Sequence, residues 1–258
     1  MRLMKRILSA AAVLALSASL LVGCSSGTAS SVPVSASSAA ESTVSSVEET
    51  ASSAVDENEA AAAQLLNDLT GSYQELWPVI LADEYKQTWL DVCTALVGED
   101  NAEAAFEKLS SMVTGDVYGE DAVKAYANGG GAYFCGFTNS LAILTFDGET
   151  STISGTDKDG NVLFSHTYHY IGMEPVHGLY EFESDDADSG EFTYFFLAPD
   201  TSAETYHIEF RYGSDADALS QYDAGDYAYW VASGISTDCD QTMIDNCIEL
   251  FCTENLAG

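Results

Sequence analysis

Residues 203–213, AETYHIEFRYG, carry one of only four histidines in a chain of 258 residues and forty-one acidic side chains. Side chains alternate along a strand, so Tyr206, Ile208, Phe210 and Tyr212 fall on one face and Thr205, His207, Glu209 and Arg211 on the other. His207 thus lies on the polar face. A neutral imidazole with a carboxylate beside it is a donor pair for zinc, at about 2.0 to 2.2 Å per bond. The other three, His166, His169 and His177, fall in the strands and connections before it. His166 and His169 are three apart, which places them on opposite strand faces and keeps them from one ion. Each of the three reads as structural or surface-bound when taken alone.

Other chemistries find no support. The chain has no GxSxG, no HExxH, no phosphate-cradling glycine loop and no CxxC. With this many carboxylates an acidic pair arises by chance, so a glycosidase reading has no weight. The acidic loops TDKDGN and SDDADSG lack the oxygen spacing and the central glycine of a calcium loop, and read as hairpin turns. The expectation is a protein that is not an enzyme.

The segments that would position His207 follow from composition. Arg2, Lys5 and Arg6 precede an apolar run from Ile7 to Val22, and Leu21, Val22, Gly23 and Cys24 match a bacterial lipobox. Residues 1–23 are therefore expected to be a lipoprotein signal peptide, Cys24 the lipidated first residue, and the rest an extracytoplasmic protein held to a membrane by that anchor. The stretch 25–55 has twelve serines in thirty-one positions and no apolar periodicity, so 24–58 reads as a disordered tether. Without the signal, five basic residues face forty-one acidic ones, a formal charge of −36. That field repels nucleic acid and anionic lipid and attracts cations.

Residues 59–258 suffice for one domain. Helical patterns over 86–97, 101–113 and 120–126 give way at Gly129 to Gly131, with Asp100 or Asn101 expected as a cap. Strand patterns follow at 132–138, 141–146, 151–155, 161–171, 178–184, 191–197 and 204–212, separated by turn residues. A helical stretch 215–221 and a C-terminal helix 238–252, capped by Asp238, close the chain. About seven strands with short turns predict a β-rich α+β fold, an antiparallel barrel with flanking helices. The barrel interior could hold either a small apolar ligand among its aromatic side chains or simple core. Cys93, Cys135, Cys239, Cys247 and Cys252 remain after Cys24, an odd number. One or two disulfides are expected, a link from the C-terminal helix to the body among the options, with the pairing open.

Gly71, Tyr73, Gln74, Trp77 and Pro78, then Thr167 to Gly172, FESDDADSGEFTY from Phe182 to Tyr194, and AETYHI with Gly213 behind it follow one another in the chain. In that order they resemble the motifs of the ZinT family of lipocalin-like metal-binding proteins, which implies a barrel of the calycin type. The likeness spans about 67–252. It implies a zinc site of three histidines, two of them an HxH pair on the last-named strand. By position the second of the pair is His207, the first has become Thr205, and the place of the remaining one is nearest Asp200. The resemblance therefore implies a divergent site in which Asp200, Glu204 or Glu209, or His169 or His177 from across the barrel, completes the shell around His207. It implies a divalent metal as ligand and a metal ABC transporter as partner. The alternative is a lipocalin-like surface module that has lost its metal.

Overall fold

The structure, a computed structural model, describes residues 57–199 and 207–256. Cys24, residues 25–56 of the expected tether, and Asp200, Glu204 and Thr205 lie outside the described residues, while 57 and 58, expected in the tether, are helical. Eight antiparallel strands close into a barrel in chain order: β1 (Gly71–Glu75), β2 (Ile143–Asp147), β3 (Thr152–Thr156), β4 (Val162–Met173), β5 (Tyr180–Ser184), β6 (Tyr194–Leu197), β7 (His207–Gly213) and β8 (Ala232–Ser236). The first and last strands seal it, with Tyr73 opposite Ser236 and Glu75 opposite Gly234. Closure leaves no strand edge unpaired, which is how a small antiparallel sheet avoids presenting open hydrogen-bonding groups.

Helices flank the barrel: α1 over 57–68, α2 (Leu76–Ile80), α3 (Lys86–Val97), α4 (Glu99–Val113), α5 (Glu120–Ala127), the short α6 (Ala216–Leu219) and α7 (Gln241–Leu256). No helix among the described residues is long and apolar enough to cross a membrane.

Aromatic rings identify the inside of the barrel. Phe195 on β6 meets Phe164 and Tyr168 of β4 at centroid distances of 5.9 and 5.4 Å, although β5 runs between those strands. Rings that touch past an intervening strand point inward. Tyr212 stands opposite Phe195 and Phe210 opposite Leu197, so Phe210 and Tyr212 point inward too. The rings stack closely, Phe164 on Phe192 at 3.9 Å and Phe195 on Tyr212 at 5.4 Å. Gly155 makes room for this packing: a Cβ there would stand 2.4 Å from both the Phe164 ring and a Leu141 methyl. The aromatic residues are thus core, and of the two uses open to the barrel interior it serves the second.

Three sequence expectations change. Residues 132–138 make no strand; Phe134 forms isolated bridges to Thr114 and Trp230, and the Phe137 ring meets the inward-facing Phe210 at 5.4 Å. The strands β1 and β8 take its place. Gly98, with no side chain to offer, precedes α4, and Asp100 lies within its first turn. At α7 the capping side chain is Asp240, whose Oδ1 accepts from the Met243 N–H at 3.0 Å, in place of Asp238.

Candidate metal centre

Inward placement of Ile208, Phe210 and Tyr212 sends His207, Glu209 and Arg211 outward. That outer face is nonetheless dry, and all seven residues of β7 are buried. His207 is 7% exposed, and its cross-strand partner Ile235 is fully buried. The imidazole enters a small apolar cleft formed by Leu76, Trp77 and Ile80 of α2 and Cys247, Leu250 and Phe251 of α7. Two helices therefore roof the histidine on the outside of the barrel.

Glu209 follows two residues on, 5% exposed, opposite Ser233. A rise of about 3.3 Å per residue sets the His207 and Glu209 Cα atoms about 7 Å apart on one face. Two thiols lie near the carboxylate. Burial pushes the Cys247 thiol up to about 12, and the Glu209 charge adds to it. Cys135 is raised in the same way, by burial first and then by Glu209. Neither thiol was assigned a role from sequence. The signal was present in the odd cysteine count, but no spacing tied Cys135 or Cys247 to residue 209.

The remaining candidates are dispersed. His169 is on the barrel's outer surface with its side chain 52% exposed, its Nδ1 2.7 Å from Asp185. It does not share an interior with His207, because residues of β4 and β7 that face outward point away from each other across a closed sheet. His166 pairs with Asp186 at 2.8 Å. His177 sits in the β4–β5 connection, its ring 3.8 Å from that of Tyr222. Tyr222 in turn lies under the Arg211 guanidinium, 4.2 Å from it. Arg211 is four residues along β7 from His207, a distance of about 13 Å, so His177 belongs to a separate cluster and does not reach across to residue 207. Among the described residues no three His, Cys, Asp or Glu side chains are grouped to hold a metal ion. What the fold does bring together is the His207 and Glu209 pair.

The second cluster is itself notable for burial. Glu174, fully buried, accepts the backbone N–H groups of Val176 and His177 at 3.0 and 2.5 Å, and the His177 Nδ1 stands 3.5 Å away. Burial pushes its carboxyl up, but the His177 ring and the two N–H groups outweigh that and hold it below its ordinary 4.5. A carboxyl lowered by folding adds stability that is present above its unfolded value and is lost as pH falls through the folded one. Glu174→Gln is therefore expected to melt below wild type at pH 7, with the gap narrowing as pH drops below 4.5. Thermal melts between pH 7 and 3 check this; a gap that stays constant would assign the effect to shape instead of charge.

No protein family model matches the chain, and no curated protein matches it. Solved structures do. One is the Zn(II)-bound ZinT-like domain of Streptococcus pneumoniae AdcA, with a TM-score of 0.46 and 15% identity, covering 71% of this chain and 89% of that one. Another is Zn(II)-bound AdcA from the same organism, TM-score 0.43 and 13% identity, covering 72% of this chain and 35% of that one.

Proposed function

We propose that this is a membrane-anchored extracytoplasmic protein that captures zinc or a similar divalent cation at the start of β7, for uptake or homeostasis, with Cys24 as the anchor. The observation that carries the reading is the burial of His207 and Glu209 side by side on one strand face. A buried imidazole and a buried carboxylate two residues apart on one strand face provide two of the three or four donors that zinc takes. Asp200 and Glu204 adjoin His207 in sequence and are the expected source of further oxygen. A formal charge of −36 on the mature chain raises the local concentration of cations near such a site. A site of one nitrogen and several oxygens discriminates among divalent ions less than an all-histidine site does. A metal ABC transporter is the partner that this role requires.

Calorimetric titration of the mature protein with zinc tests the reading. Wild type is expected to bind one ion, and His207→Ala and Glu209→Gln each to weaken binding at least about tenfold. An isotherm unchanged by His207→Ala would remove that residue from the site. Absence of heat in wild type would favour a second reading, a surface interaction module of the same fold without metal. That reading draws on the absence of a three-donor group among the described residues.

A further inference from the structure

Cys93 and Cys252 touch. Their sulfur atoms are 4.0 Å apart, on α3 and α7, and both side chains are fully buried. The other cysteines are engaged elsewhere: Cys135 and Cys247 lie near Glu209, and Cys239, partly exposed, precedes α7. We propose that Cys93 and Cys252 form a disulfide that fastens the helix roofing His207 to helix α3. The geometry needs about 2 Å of approach between the sulfurs to reach bonding distance. The two residues are 159 positions apart, most of the domain, and the loop closed is the kind whose constraint on the unfolded state is greatest.

Burial raises both thiols, so in the docked state they stay protonated and poor nucleophiles. The bond therefore forms before α7 docks, and once formed is shielded from reductant. In the cell the step rests on the extracytoplasmic reading, where another protein's disulfide is the oxidant. One protein thiolate attacks that disulfide, giving a mixed disulfide and releasing one thiol. The second protein thiolate then displaces the other, so the two electrons given up by the protein thiols pass to the oxidant, whose disulfide is reduced, and the two protons end on its thiols.

The test replaces the cellular oxidant with glutathione disulfide, so that its outcome does not depend on location. The mature chain is unfolded in reductant, refolded in a glutathione redox buffer, and alkylated under denaturing conditions before peptide mass spectrometry. A peptide linking Cys93 to Cys252, missing in Cys93→Ala, is expected, together with a melting temperature about 10 °C lower after reduction. Alkylation of both residues as free thiols, or a link from either to another cysteine, would overturn the proposal. Such a failure would leave the location untouched, since anchoring is read separately by fatty-acid labelling that Cys24→Ser abolishes.

Discussion

Arg211→Ala is expected to destabilise the protein by about 3–5 kcal/mol, one of the two largest effects of a single substitution here. Arg211 is the one arginine after Arg6, and it is fully buried. Its guanidinium donates to the carbonyls of Leu219 and Tyr227 and stacks on the Tyr222 ring. The segment from Ser214 to Tyr229 has little regular structure, and this side chain ties it to β7. Burial lowers the guanidinium's affinity for its proton, but an arginine remains charged under all ordinary conditions. Alanine would leave two buried carbonyls without donors, at about 1–3 kcal/mol each, and forfeit the stacking. Lysine should not rescue, because a point charge on a flexible stem cannot serve both carbonyls and the ring. Methionine, which restores volume alone, should recover part of the loss. Urea denaturation measures this: with a slope near 2–3 kcal/mol/M the midpoint should fall by about 1–2 M. A shift under about 1 kcal/mol would mean that the 214–229 segment holds its place without Arg211.

Trp89→Ala should cost a similar amount, about 3–5 kcal/mol, by a different route. Trp89 on α3 is fully buried, its indole N–H donates to the Ile80 carbonyl at 2.7 Å, and its ring meets Phe106 and Phe251 at 5.6 and 6.0 Å. It therefore joins three elements, α2, α4 and α7, two of which line the cleft around His207. Truncation leaves a cavity and an unpaired carbonyl at the end of α2. Trp89→Phe keeps most of the volume and should cost about 1–2 kcal/mol, mostly the lost hydrogen bond. Because Trp89 and Phe251 share a contact, the double variant with Phe251→Ala should cost less than the two single effects added together. Additive effects would show that the two helices pack independently.

How far the fold could be read depended on how regular each segment's burial is. Strands β2 to β7 carry a clear alternation or a turn on each side, and Asp157-to-Asn161 closes its hairpin through side-chain acceptance of backbone N–H groups, as its composition implied. Strand β1, GSYQE, buries only Tyr73 and offers no alternation to detect. Strand β8, ASGIS, is buried on both faces and has one large apolar residue. Residues 132–138 carried more aromatic character than either, yet their rings are spent on packing against Tyr118, Tyr229 and Phe210. Strand propensity there describes packing against a surface, which need not be a ladder.

Period-two alternation by itself determined that His207, Glu209 and Arg211 share one side of a strand, and turn spacing that the strands form an antiparallel barrel. The tertiary structure alone decided which side of that strand is the interior, because each side of β7 carries side chains that end up buried. Only the closing of β1 on β8 and the docking of α2 and α7 establish that the histidine side is the outer one, sealed beneath helices. The same docking separated His169 and His177 from His207 and brought Cys93 to Cys252, contacts between residues far apart in the chain that local pattern cannot encode.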